Sequence, residues 1–167
     1  HVIAVQECPE DWGHLQDVVR YLKAPYRVLF SDSGGNNERL VFIYNSRQVK
    51  LLEKVGEIAF PPADYRHIKI PGVARKFDGF DRTPYLAAFK AGKTTFMFVN
   101  VHSFFGSMSK PSIERRALET VAVARWAARR RKSRFAFTRE IFVMGDFNMP
   151  KREKGDPIFD ALTRLGL

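Results

Sequence analysis

The chain has 167 residues, 45% of them hydrophobic, which is enough for one globular domain, residues 1–167, with a sizeable core. Its single cysteine, Cys8, excludes an internal disulfide and a cysteine-based metal cluster, and no apolar run approaches the roughly 18 residues of a membrane span. The net charge of +10 suggests a nucleic-acid partner, but residues 110–139 contain ten Lys or Arg and two Glu, so +8 of that charge belongs to one segment.

The first third of the chain alternates short apolar runs with turn residues, which is typical of strands. Residues 1–5 form an apolar run that ends at Gln6 and Glu7, and a carboxylate at the end of a buried strand is costly unless it is paired or bound to a cation. Residues 9–22 have one apolar face at helical spacing. The remaining predicted strands here are Tyr26–Phe30, Glu38–Asn45 and, with an ambiguous pattern, residues 49–60.

The sequence pattern in the second half of the chain predicts a hairpin, a long helix and a buried strand. Residues 61–79 have no clear period and predict a long loop. Residues 83–90 and 95–102 predict two strands joined by a hairpin turn. Both faces of the second strand are mostly apolar, which predicts that other parts of the chain pack against both of them. Residues 111–132 predict a helix, 141–144 a buried strand, and 156–165 a last helix. The long helix has an inner stripe of Ile113, Ala117, Val121, Ala124 and Ala128, with Arg115, Arg116, Arg129 and Arg130 off it.

Polar side chains follow three of the apolar runs. Glu7 follows the first, His102 ends another, and Asp146 and Asn148 follow the run 141–144 after a break at Gly145. Gly, Asp and Asn are also ordinary turn residues, and a lone His or Glu at a strand end is more often structural than catalytic. Their joint occurrence, each after an apolar strand, favours one pocket at a sheet edge.

Four short motifs in order resemble those of the endonuclease/exonuclease/phosphatase superfamily, which includes deoxyribonuclease I and exonuclease III. They are Gln6-Glu7, Arg82-Thr83-Pro84, Asn100-Val101-His102 and Gly145-Asp146-Phe147-Asn148. The resemblance implies an α/β fold, specifically a four-layer α/β/β/α sandwich of mainly antiparallel or mixed sheets with the active site at one sheet edge. It also implies that Glu7 is a metal ligand, that Arg82 contacts phosphate, and that His102 lies near the scissile phosphate. Asp146 and Asn148 would orient the phosphate and the attacking water.

Two elements of that superfamily have no counterpart in this sequence. No strand with an early metal-site Asn precedes Gln6, and no Ser-Asp-His motif follows Asn148. In the family the late His and Asp act as general base on the water. We therefore expect the sequence to match a central portion of the domain, cut at both ends, and this chain alone to be a poor enzyme.

The chemistry of phosphodiester hydrolysis explains these residue types. Attack on an already negative phosphorus is favoured by a hard cation held by carboxylate or amide oxygens, and Mg²⁺ binds few protein carboxylates while keeping several waters. Glu7 fits such a site, with Mn²⁺ as the alternative ion. Arg82 supplies a forked donor suited to phosphate, and His102 could contact a phosphate oxygen or protonate the leaving group.

Three functions from different classes remain open at this point. The favoured one is a Mg²⁺-dependent phosphodiesterase, most simply a nuclease with nucleic acid as substrate. The second is a hydrolase of phosphorylated small molecules or lipids, because fold does not fix substrate. The third is a catalytically incomplete module that binds nucleic acid or protein. The sequence does not determine the oligomeric state or the cellular location.

Two further features allow expectations about the surroundings of the site. Phe104 and Phe105 come just after His102, so at least one could be exposed beside the site, although burial of both under the following helix is the commoner arrangement. The basic residues Arg129, Arg130, Arg131 and Lys132 are expected to form a solvated surface remote from Asp146, because they complement the dipole at the end of an outer helix.

Overall fold

The computed structural model of the protein describes residues 1–164. Seven strands, three α-helices and one short 3₁₀ helix follow one another within these residues. In chain order they are β1 (Val2–Pro9), α1 (Gly13–Leu22), β2 (Tyr26–Phe30), β3 (Glu38–Asn45), β4 (Lys50–Glu57), the 3₁₀ helix (Pro62–His67), β5 (Tyr85–Ala91), β6 (Thr94–His102), α2 (Lys110–Lys132), β7 (Ile141–Asp146) and α3 (Pro157–Arg164). Among these helices none has the length and apolar character needed to cross a membrane.

The strands form two sheets. The first sheet has three antiparallel strands in the order β1-β3-β2. The second has four in the order β4-β5-β6-β7, and it is mixed because β6 and β7 run parallel. Parallel neighbours need a crossover connection, and α2 supplies it. This arrangement confirms the prediction of mainly antiparallel or mixed sheets.

An aromatic core joins the two sheets face to face. Alternation along β3 sends Leu40, Phe42 and Tyr44 towards the second sheet, where they pack with Tyr85 and Phe89. The rings of Phe42 and Tyr85 stack with centroids 5.6 Å apart. Aromatic side chains therefore make up much of this interface between the sheets.

The helices cover the outer faces, which gives the four predicted layers. On the first sheet, Val41 and Ile43 of β3 pack against Leu15 of α1. On the second, Val99 and Val101 of β6 pack with Val123 of α2. The second strand of the predicted hairpin is thus covered on both sides, as its apolar pattern predicted.

One expectation about α2 is wrong. Arg116 was placed off the inner stripe, whereas the structure buries it completely. Its guanidinium is enclosed by two loops, because it donates to the backbone carbonyl oxygens of Ser107 and Asn148. A different face of α2 is covered by Ile68 of the long loop and Ala161 of α3. The middle of this helix is therefore enclosed on several sides rather than forming an outer layer with one solvated face.

The ends of the two motif-bearing strands also differ from the sequence prediction. The run 1–5 continues as β1 to Pro9, and a register shift between Val5 and Cys8 places Glu7 inside the strand with a φ of 58°. β7 likewise continues through Gly145 to Asp146. Periodicity could not reveal either extension, because a bulge interrupts the alternation and glycine carries no side chain.

Gly145 is required by the close approach of β6. Its φ is 134°, and a Cβ atom at this position would lie 2.0 Å from the carbonyl oxygen of Val101. We expect Gly145→Ala to lower the free energy of unfolding by more than about 2 kcal/mol, because strain and backbone overlap both oppose it. Urea denaturation measures this difference.

Gly56 of β4 is the matched control. A Cβ atom there would meet nothing within 4 Å. Gly56→Ala should therefore change the free energy of unfolding by less than about 1 kcal/mol. Equal losses in the two variants would contradict the proposed close approach at Gly145.

Candidate active site

Strand pairing brings His102 and Asp146 side by side. The two residues are register partners at the ends of the parallel strands β6 and β7, and the amide of Ser103 donates to the carbonyl oxygen of Asp146 at 2.9 Å. His102 is buried, whereas Asp146 is exposed. One end of the second sheet thus presents an imidazole beneath an accessible carboxylate.

The bulge in β1 adds Glu7 to the same end of the sandwich. One carboxylate oxygen, Oε1, lies 3.8 Å from Nε2 of His102, and the Glu7 side chain is 70% exposed. The bulge is held by Asn100 of β6, which is fully buried and donates to the carbonyl oxygens of Val5 at 2.9 Å and Val41 at 3.1 Å. This amide therefore ties the first sheet to the second next to Glu7.

Glu38 contacts the other side of the imidazole, and the sequence analysis missed it. Its Oε2 atom lies 3.2 Å from Nδ1 of His102 and 2.6 Å from Nε of Arg82. These are close ion-pair contacts without the alignment of regular hydrogen bonds. A charged residue at the start of a strand usually lies in solvent, so no sequence pattern distinguished Glu38.

Arg82 lies beneath the site rather than in the open. Only 6% of it is exposed, and besides Glu38 it contacts Oδ2 of Asp81 at 3.1 Å. The guanidinium thus orients Glu38, and through it His102. Its phosphate-binding role stays a prediction.

Asn148 joins the site through the turn after β7. Its φ is 49°, its amide N–H donates to Oδ1 of Asp146 at 2.7 Å, and its side-chain Nδ2 donates to the carbonyl oxygen of Ser103 at 2.8 Å. The carbonyl oxygen of Asn148 accepts a hydrogen bond of 2.7 Å from Nη1 of Arg116. The turn is therefore fixed from three directions, which also fixes the Asp146 carboxylate.

Arg116 is a buried cation that links the loops around the site. Besides Asn148, it donates to the carbonyl oxygen of Ser107 at 2.6 Å. Burial lowers the pKa of the Arg116 guanidinium, while the carboxylates of Asp156 and Asp146 oppose that shift. The sequence placed Arg116 on the outside of α2, so it too was missed.

Glu119 ties the loop of Arg82 to the loop that follows His102. It is 2% exposed and accepts hydrogen bonds from the amides of Asp81 at 3.2 Å and Phe104 at 3.0 Å. Arg115 bridges the Glu119 and Asp81 carboxylates, at 3.5 Å and 3.3 Å. A buried carboxylate on α2 thus anchors both segments.

The surface beside the site is partly aromatic and partly basic. Phe104 lies under the Arg115 guanidinium, whose central carbon is 4.1 Å from the ring centroid, whereas Phe105 is 51% exposed. One of the two adjacent aromatics is therefore available for contact. The turn of Asn148 continues into an exposed segment with three cations, Lys151, Arg152 and Lys154.

The larger basic cluster lies elsewhere. Arg116 contacts the turn of Asn148 near the start of α2, whereas Arg129 to Lys132 are exposed at its end. From Arg116 to Arg129 the helix advances roughly 20 Å at about 1.5 Å per residue. This position agrees with the expectation of a solvated surface remote from Asp146.

Within residues 1–164, no three His, Cys, Asp or Glu side chains converge as a metal-binding group. Glu7 and Asp146 are nevertheless both exposed and both offer hard oxygen donors. This donor set suits an ion that keeps most of its water ligands, as Mg²⁺ does, better than zinc, which binds mainly through histidine nitrogen and cysteine sulfur.

The buried position of Glu119 makes the stability of the protein depend on pH. Burial raises its pKa from the ordinary 4.5 to about 7, against the opposing effects of the Phe104 and Asp81 amides and Arg115. The folded protein therefore retains a proton that the unfolded chain releases between these values. The contribution of Glu119 to stability is complete below pH 4.5 and is lost as the pH rises towards 7.

We expect the difference in unfolding free energy between the wild type and Glu119→Gln to fall by on the order of 3 kcal/mol across that window. Denaturation curves at a series of pH values measure it. Glu140→Gln, which changes an exposed carboxylate, is the control and should give a flat difference. A flat difference for Glu119→Gln as well would refute the raised pKa.

Several solved structures have a fold similar to that of this chain. No protein-family model matches the sequence, and no curated protein matches it. Solved structures do match. An endonuclease/exonuclease/phosphatase family protein from Bacteroides thetaiotaomicron is 18% identical with a TM-score of 0.62, covering 98% of this chain and 53% of that one. ANGEL2, a 2',3'-cyclic phosphatase in complex with adenosine-2',3'-vanadate, is 16% identical with a TM-score of 0.64, covering 98% and 43%.

A third match is TDP2 of D. rerio complexed with a single-strand DNA product, at 14% identity and a TM-score of 0.53, covering 99% of this chain and 51% of that one. The chain thus spans about half the length of the structures that it matches. At these identities the likeness establishes the fold alone. The chain has the deoxyribonuclease I-like fold of the endonuclease/exonuclease/phosphatase superfamily, as its four motifs predicted.

Proposed function

We propose that this chain carries the catalytic centre of a Mg²⁺-dependent phosphodiesterase, most simply a nuclease. The observation that supports the proposal is the convergence of Glu7, His102, Asp146 and Asn148 at one end of the sandwich, with Glu38 behind the imidazole. These residues come from four strands and a turn that are far apart in sequence. Structural needs alone do not require exposed carboxylates next to a buried histidine.

His102 is suited to proton transfer or to binding a phosphate oxygen. Glu38 contacts Nδ1, which favours the tautomer with the proton on that nitrogen and leaves Nε2 facing Glu7 and the open side. A histidine oriented in this way by a carboxylate can donate a proton to a leaving alkoxide when it is charged. Asp146 and Asn148 would then hold the phosphate and the attacking water.

Glu7 would hold the cation, with Asp146, the register partner of His102, as a second oxygen donor. A bound Mg²⁺ supplies positive charge to the phosphate oxygens and stabilises the leaving oxygen. The exposure of Glu7 favours an ion that keeps water ligands, and the bulge fixed by Asn100 would keep the carboxylate in place as ions exchange. Mn²⁺, which prefers similar oxygen ligands, is the alternative.

Nucleic acid is the substrate class that the surroundings favour. Phe105 is exposed next to the site and could stack on a base, and Lys151, Arg152 and Lys154 follow the phosphate-orienting turn. The similar fold of TDP2, solved with a single-strand DNA product, is consistent with this choice. ANGEL2, which has a similar fold, is a 2',3'-cyclic phosphatase, so smaller phosphorylated molecules are the second candidate substrate class.

Substitution of the two central residues tests the catalytic role. Under single-turnover conditions, with excess protein, Mg²⁺ and a labelled oligonucleotide, His102→Ala and Asp146→Ala should each lower the cleavage rate by about 10²-fold or more. His14→Ala and Asp17→Ala, which change exposed residues of α1, are the controls and should cleave at the wild-type rate. Circular dichroism checks that all four variants are folded.

Unchanged rates in the His102 and Asp146 variants would reject the assignment. A full-length protein containing this chain that binds the oligonucleotide but gives no cleavage under these conditions would favour the binding-module alternative. Cleavage of phosphate monoesters or cyclic phosphates in preference to the oligonucleotide would favour the second candidate.

The two basic clusters should contribute differently to substrate binding. Arg152→Ala with Lys154→Ala removes two exposed cations beside the site, so the affinity for a short single strand should fall and its salt slope should decrease by about 1 to 2 units. Neutralising Arg129 to Lys132 removes four cations at the far end of α2 and should leave the affinity and its salt slope nearly unchanged. Titrations at several salt concentrations measure both quantities. The opposite ranking would place the substrate groove along the end of α2.

A further inference from the structure

A second concave site lies on the outer side of α2, apart from the candidate catalytic residues. A cavity of about 730 Å³ opens between the segment 69–73, one face of α2 and α3. The residues of α2 that line it include Ile113, Val121 and Arg125. The residues of α2 that support the catalytic centre, Arg116 and Glu119, do not line it.

The wall of this cavity is more apolar than polar. Its apolar lining comes from three separate parts of the chain and consists of Ile70, Pro71, Val73, Met108, Ile113, Val121, Pro157 and Ala161. Its volume lies within the range of roughly 300–1,000 Å³ that is typical of small-molecule sites. A cavity of this kind favours a ligand with an apolar body.

The rim of the cavity is predominantly basic. Four cations line it, namely Lys69, Lys110, Arg125 and Arg164, against two carboxylates. Asp160 accepts from the amide of Gly155 at 3.2 Å, and Glu114 lies 3.9 Å from Lys110, so the lining keeps an excess of two positive charges with both carboxylates counted. The excess of positive charge favours an anionic group at the mouth.

We propose that this cavity binds a single-chain amphipathic anion, with its hydrocarbon chain against the apolar wall and its carboxylate or phosphate head at the basic rim. Arg125 would contribute although it donates to the carbonyl oxygen of His67 at 2.7 Å, because a guanidinium has five N–H donors. Lys69 and Lys110 are both exposed at the mouth. The proposal does not depend on the catalytic function proposed above.

Calorimetric titration of the 167-residue chain tests the proposal. Laurate and dodecyl phosphate, each below its micellar concentration, should bind with a stoichiometry of one, and dodecyltrimethylammonium should bind at least about tenfold more weakly, since only its head charge is reversed. The relative affinities of the two anions distinguish a carboxylate site from a phosphate site. Equal binding of the cationic amphiphile, or binding of neither anion, would overturn the proposal.

Amino-acid substitutions test whether the anion binds in this cavity. Lys69→Glu with Lys110→Glu should weaken anion binding by about tenfold or more, whereas Lys90→Glu with Lys93→Glu, a matched charge reversal on the β5–β6 hairpin, should not. Val73→Trp places a bulky side chain in the cavity and should abolish binding, with thermal melts checking that the variant is folded. Anion binding that is unchanged in both the rim and the Val73 variants would place the ligand elsewhere and refute the site.

Discussion

A chain of ionisable side chains in close contact connects the candidate catalytic centre to α2, and the geometry of the site depends on it. The sequence of contacts runs from His102 through Glu38, Arg82, Asp81 and Arg115 to Glu119, with separations between 2.6 and 3.5 Å. Most of these groups are shielded from water, where an unpaired charge costs several kcal/mol, so removing any one of them leaves its neighbour uncompensated. Buried ion pairs add little net stability, but they specify one arrangement, and here that arrangement sets the orientation of the imidazole. The rigidity of the site is thus electrostatic in origin, not only a consequence of packing.

The second constraint is the parallel pairing of β6 with β7, which sets the position of the acidic groups. A shift of this register by one residue would turn His102 to the opposite face of the sheet and separate it from Asp146. Gly145 permits the close approach of the two strands, and Arg116 and Ser103 then fix the following turn. Backbone pairing therefore places the carboxylate, while the ion chain orients the histidine. The paired strands β6 and β7 and the chain of ion-pair contacts are connected through α2, which contacts both the turn after β7 and the loop of Arg82.

The sequence was informative where a feature is local and failed where it depends on distant contacts. β2 and β3 have the predicted bounds because charged and turn residues flank uninterrupted apolar runs. The four motifs correctly indicated the fold, and the structure places Glu7, His102, Asp146 and Asn148 together, although their catalytic roles are untested. Glu38 could not be predicted, because its importance comes from Arg82 and His102, which are remote in sequence. Arg116 was misplaced for a similar reason: its burial comes from the carbonyl oxygens of Ser107 and Asn148, which lie in loops that helical periodicity does not reveal.

Electrostatics explains why a site of this composition calls for added positive charge. Glu7 and Asp146 are both exposed where a phosphate would have to approach, and two carboxylates repel a phosphodiester. The arginines packed under the site do not cancel this repulsion: Arg82 and Arg115 are engaged by Glu38, Asp81 and Glu119, and Arg116 is committed to backbone carbonyls. The cluster at the end of α2 lies more than a Debye length of about 8 Å away, so salt screens it from the site. For the phosphodiesterase proposed above, the local charge balance, and not the net charge of +10, is therefore what favours a divalent cation at Glu7.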